Sequence, residues 1–196
     1  MSTPYSKTDK VISYLNKQYG QLFRKLTSFD ELNVINVSHE IYDEVLRLVE
    51  RESTRLVKSV YGSYNSGTIS DEDAAAFVLA LMLAYNPVTK YIYKNELERK
   101  RSRFAEGVIA SDTPQEEIAL AERLLVKLNR QFEDDVTFDT LVKAYEDDGV
   151  EEVRWITAED DKRCAECKAR HHKIYPIHDI PPKPHRYCRC YVERVK

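Results

Sequence analysis

The chain has 196 residues, a net charge of −3, 42% hydrophobic and 32% charged residues. That is enough apolar content for one packed domain, alone or with a small appendage, and too little net charge to demand a polyelectrolyte partner. No apolar run approaches the ~18 residues of a membrane span, and Met1–Lys7 lacks an apolar signal region, so the expectation is a protein kept in a cytosol, or in a particle assembled there, with no membrane partner.

Glycine is scarce, with 5 in the chain, while Pro176, Pro181, Pro182 and Pro184 crowd one short stretch. This distribution predicts long helices followed by an irregular C-terminal end. Val11, Tyr14, Leu15, Tyr19, Leu22, Phe23 and Leu26 recur at three- and four-residue steps and predict a first amphipathic helix. Ser38 reads as the N-cap of a longer one, with Ile41, Val45, Leu48, Val49, Leu56, Val60 and Tyr64 on its apolar face. Gly62 and Asn65-Ser66-Gly67 end it. Ser70, followed by Asp71, Glu72 and Asp73, caps the next helix and places negative charge at its positive end. That helix, Ala74 to Tyr85, is apolar nearly all round and is expected to be the central one. Asn86-Pro87 stops it and opens another.

Thr113-Pro114-Gln115-Glu116 is a capping box with proline in the first turn. Behind it Ile118, Leu120, Ala121, Leu124, Leu125 and Leu128 form an apolar stripe. A short separate amphipathic piece carries Phe138, Leu141, Val142 and Tyr145, and Asp148-Gly149 closes it. The acidic residues from Glu133 to Glu152, against the single lysine Lys143, read as a solvated face and charged linker. Val153 to Thr157 alternates like a strand. The expected architecture is therefore mainly α. A helical domain of bundled or elongated helices over residues 1–149 carries a small C-terminal β-hairpin/loop module over 150–196, stapled by Cys and His.

All four cysteines fall in that module, as Cys164-x2-Cys167 and Cys188-x-Cys190, with His185 three residues before Cys188. Without a secretion signal they read better as metal ligands than as a disulfide framework. One pair wraps one side of a tetrahedral zinc; either Cys188 with Cys190 or His185 with Cys188 closes the other. Five donors thus compete for four places. Packing as four reduced, small apolar side chains is the bland alternative. His171, His172 and His178 read as surface loop histidines.

Trp155-Ile-Thr, Asp160 ahead of Cys164-x2-Cys167, Lys173-Ile-Tyr175 and the closing Pro184-His185-Arg-Tyr-Cys188-Arg-Cys190 together resemble the terminal signature of the Mu F-like phage head morphogenesis family. The resemblance covers Trp155 to Cys190, under a fifth of the chain. It departs from the family at His172, where glycine is common, so the turn there is expected to differ in shape. The chain is also shorter than many relatives, which suggests a minimal version without an effector domain. A hydrogen-bonded staple built on Asp160, His185 and Cys188 is an alternative way to hold the loop. The resemblance implies a minor head (minor capsid) protein in the virion, made in the host cytoplasm. It would associate with the portal protein, with capsid or scaffold proteins and with packaged DNA. Lys94, Arg99, Lys100, Arg101 and Arg103 form a basic face suited to phosphate contact, though pairs such as Glu96 with Lys100 equally suit an ordinary exposed helix.

An enzymatic reading has less to build on. His178-Asp179 and His185 near paired cysteines faintly resemble an HNH-like metal-dependent nuclease, but no Asn–His helix follows Cys190. There is no phosphate-binding glycine loop, and the lone Cys-x2-Cys lies outside a βαβ pattern. A zinc-ribbon nucleic-acid binder is the remaining alternative, permitted by the excess of positive charge from Trp155 to Lys196. The expectation is a structural protein, not an enzyme.

Overall fold

In the computed structural model, residues 4–23, 34–84, 114–157 and 164–195 are described. The chain is mainly helical, with a small antiparallel sheet at its C-terminal end. Helix α1 is Tyr5–Phe23, α2 is Val34–Tyr64, α3 spans residues 71–84, α4 is Pro114–Asp147 and α5 is Ala165–Arg170. Strands β1 (Glu152–Ile156), β2 (Ile174–Pro176) and β3 (Tyr191–Arg194) lie in the order β2-β1-β3, so the expected hairpin is a three-stranded sheet with the tryptophan strand at its centre.

Two local signals act at their own positions. Ser70 Oγ accepts the Asp73 backbone N–H at 3.0 Å and donates to its carboxylate at 2.7 Å, capping α3 reciprocally. At the end of α4, Gly149 adopts φ 72°, and the Gly149 and Val150 N–H groups donate to Glu146 and Tyr145, each at 3.0 Å. This is the paired closure that a left-handed residue after a helix makes possible.

Four expectations are corrected. Helix α2 begins at Val34, so Ser38 lies inside it. The capping-box helix and the separate amphipathic piece are one continuous helix of 34 residues. Its acidic middle is not a solvated face: Glu133 and Asp134 are buried. Finally, α3 buries only Ala74, Val78 and Met82, while Leu79 and Leu83 remain 50% and 69% exposed. The central helix is α4, which packs against α1, α2 and β3. The basic stretch Lys94–Arg103 and Asp160 lie outside the described residues.

One apolar cluster runs from Leu15, Val57 and Val60 through Val136, Phe138 and Leu141 to Val153, Trp155 and Val192, so the described helices and sheet share a core across position 150. Long-range hydrogen bonds tie the ends together. Thr8 and Thr137 hydroxyls meet at 2.7 Å, and Arg194 donates to Asp148 at 2.9 Å and to the Tyr64 carbonyl at 2.7 Å. Tyr5, on α1, donates from its hydroxyl to the Cys190 carbonyl at 2.6 Å in a buried setting. Tyr5→Phe should cost about 1 kcal/mol, because the carbonyl loses its partner where water does not replace it. Urea unfolding of the two proteins measures it, and equal midpoints would show that the bond contributes nothing.

Candidate metal centre

Helix α5 delivers the first pair of donors. Cys164 occupies its N-cap, where the sulfur accepts the Cys167 backbone N–H at 3.2 Å, and Cys167 follows one turn later, buried. The other three donors come from the segment leading into β3. Antiparallel register pairs Trp155 with Val192 and Ile156 with Tyr191, which brings Cys190, just before β3, beside the end of β1. His185 and Cys188 sit on the preceding loop, which Pro181, Pro182 and Pro184 stiffen.

That loop is fastened to α4. The Lys183 ammonium donates to the Asp134 carbonyl at 2.8 Å and to Asp135 at 3.1 Å, and lies 5.1 Å over the Phe138 ring. Gln131 accepts the Tyr187 backbone N–H and donates to Asp135 at 2.6 Å. Tyr187 takes φ 60°, which turns the chain so that His185 and Cys188 face the same way. From the other side Arg170 donates to the Pro182 carbonyl at 2.6 Å.

The result is a gathered donor set. Cys167 Sγ lies 3.3 Å from His185 Nε2 and 3.7 Å from Cys188 Sγ. Two groups of ligand atoms form, Cys164–Cys167–His185 and Cys167–Cys188–Cys190, each within 4.8 Å and sharing Cys167. A tetrahedron with sulfur about 2.3 Å from its metal has sulfur–sulfur edges of roughly 3.8 Å, close to the Cys167–Cys188 spacing. His185 Nδ1 lies 2.8 Å from the Arg186 carbonyl, which only accepts, so Nδ1 carries the proton and Nε2 presents its lone pair to the sulfurs. The five residues can therefore bind a metal ion. His185 is exposed and Cys164 half-buried, while Cys167, Cys188 and Cys190 are buried.

The protonation pattern suits a cation. Cys190 and then Cys167, donating from hydrogen-bond distance, hold the Cys188 thiol down to about 5 against the opposing effect of burial. Burial, reinforced by Cys164, pushes the Cys167 thiol up to about 12. Cys190 is pushed up by Cys188 and by burial. Protons are thus shared unevenly among crowded sulfurs, and a soft divalent ion would replace them.

All five predicted ligands converge. Pro184 lies within the loop, and Trp155 is fully buried under the cluster between Phe138 and Tyr175. His172 and His178 are exposed, as expected of loop histidines, whereas His171 is partly buried and its Nδ1 accepts the Thr157 backbone N–H at 3.2 Å. His172 holds φ 65°, in the left-handed region that glycine adopts most easily. The α4 residues that fasten the loop, Gln131 and Asp135, carry no motif; their spacing of four on one helix was the only available signal.

Comparisons with protein-family models, curated proteins and solved structures found no match for this chain.

Proposed function

We propose that this chain is a bacteriophage minor head protein with a structural role in head assembly at the portal vertex. Its C-terminal module would be stapled by zinc. The observation that carries the reading is the meeting of Cys164, Cys167, His185, Cys188 and Cys190 around Cys167. Those residues are what the head-protein signature spaces along the chain, and their convergence gives the spacing a physical purpose. Thiolates with one imidazole at tetrahedral spacing favour zinc over oxygen-seeking ions. A set of donors this complete suits a fold-holding ion better than a catalytic one, which needs an open position. The helical body offers faces for the portal protein and for capsid or scaffold proteins, and the basic stretch Lys94–Arg103 would meet packaged DNA.

The test is made on particles. Mass spectrometry of purified heads should find this chain at low copy with the portal protein, and its gene should lie between portal and capsid or scaffold genes. Its absence from purified heads would overturn the proposal. His178 and Asp179 are exposed on the 3-10 turn Ile177–Asp179 and belong to neither donor group. Zinc-loaded protein should accordingly leave duplex DNA intact, whereas cleavage abolished by His178→Ala would establish the nuclease instead.

A further inference from the structure

Trp155 is fully buried at the centre of the sheet, and its indole N–H has no hydrogen-bond partner among the described residues. Packing explains the ring. Phe138 and Tyr175 flank it at 5.7 and 6.3 Å between centroids, and the Arg170 guanidinium lies 5.2 Å from its centre. Packing does not explain the orphaned N–H, because a buried indole ordinarily finds an acceptor. Phenylalanine would give the apolar contacts without that cost.

The sheet register supplies the missing partner. Trp155 is paired with Val192, and both are buried on the inner face. Cys190, two residues before Val192, therefore lies diagonal to Trp155 on that face, within reach of a large ring. Cys190 is itself buried, in the same apolar cluster as Trp155. A neutral thiol is a weak acceptor, whereas a metal-bound thiolate is a strong one whose remaining lone pairs are satisfied by N–H donors.

We infer that Cys190 is one of the metal ligands, and that the Trp155 indole N–H donates to its bound thiolate. The inference rests on the metal centre proposed above and reduces its ambiguity: Cys190 takes a place, and Cys164 and His185 become the donors between which the remaining choice lies. It also gives the signature tryptophan a positioning role, holding the sulfur in place and tuning its charge.

Trp155 is the chain's single tryptophan, so its indole proton gives one identifiable resonance. In wild-type protein that resonance should move downfield when zinc is added to the reduced, metal-free chain, and cadmium-113 loading should show coupling between the indole proton and the metal. In Trp155→Phe, cobalt(II) affinity should fall about tenfold, the lower end of the loss expected when a partner of a metal ligand is removed, and the thiolate-to-cobalt absorption should shift. Cys190→Ser should remove one thiolate's share of that absorption. An indole resonance unmoved by loading, or full thiolate absorption in Cys190→Ser, overturns the inference while leaving the metal centre standing. If reduced wild type takes up no metal, the centre itself falls and the donor with it. Because the resonance is read in the wild type, the outcome does not depend on whether Trp155→Phe folds.

Discussion

Cys167→Ser is expected to abolish metal uptake and to lower thermal stability more than any other single change to the donor set. Cys167 belongs to both groups of donor atoms and lies against His185 and Cys188, so its loss leaves each group with two members. Serine does not replace it, since its hydroxyl stays protonated and is a poor ligand for a soft ion. An ion present at a thousand times its dissociation constant stabilises the folded chain by about 4 kcal/mol. For a protein of this size that corresponds to a fall in Tm of about 8–16 °C. Excess chelator added to the wild type should reproduce the lower Tm, and freshly reduced wild type should carry about one zinc per chain. Far-UV circular dichroism should change little, because α1, α2 and α4 pack on one another. Metal analysis finding equal metal in both proteins, with equal Tm, would end the reading.

Glu133→Gln is expected to reshape the pH dependence of stability. Glu133 is fully buried on α4, where its Oε1 accepts the Ser53 hydroxyl of α2 at 2.7 Å and its Oε2 has no partner among the described residues. Burial raises its carboxyl from 4.5 to about 8; Asp134 and Glu52 push in the same direction, and Ser53 pulls back. Burial likewise raises Asp134 to about 6 despite Arg130 and Lys183. A carboxyl whose folded value is raised binds more protons folded than unfolded. The stability it permits is therefore complete below the unfolded value and is lost as pH rises towards about 8. At about 1.4 kcal/mol per unit, the loss across the window is on the order of several kcal/mol. Thiolate ligands bias the protein the opposite way, since acid releases the metal. The informative quantity is consequently the difference between metal-loaded wild type and Glu133→Gln. The wild type should lose stability relative to the variant between pH 5 and 8, and parallel profiles would show that Glu133 is already ionised in the fold.

The same carboxyl explains why the sequence divides one helix into two. The run Glu133-Asp134-Asp135 interrupts the apolar stripe of α4 and looks solvated. In the fold each acid is accommodated separately: Glu133 against Ser53, Asp134 beside Arg130 at 3.4 Å, and Asp135 with Lys183 at 3.1 Å. Two of these three partners come from other elements, and hydrophobic periodicity carries no information about them. The overestimate of α3 has a related cause. Its composition is apolar on every side, but composition does not say how many faces find neighbours, and Leu79 and Leu83 remain exposed. By contrast Ser70 and Gly149 were legible, because a cap is made between residues three to five positions apart.

The sequence by itself determined the donor types, their spacing and the elements that carry them: a cysteine pair one helical turn apart, a proline-stiffened loop bearing His185 and Cys188, and an alternating strand through Trp155. These follow from short-range sterics and hydrogen bonding. Only the tertiary structure decided that all five donors meet around Cys167, that α1 closes on the module through Tyr5 and Cys190, 185 positions apart, and that the Trp155 indole N–H is buried without a partner among the described residues. Those outcomes depend on burying one apolar cluster shared by the helices and the sheet, a requirement set by the whole chain rather than by any local stretch of it.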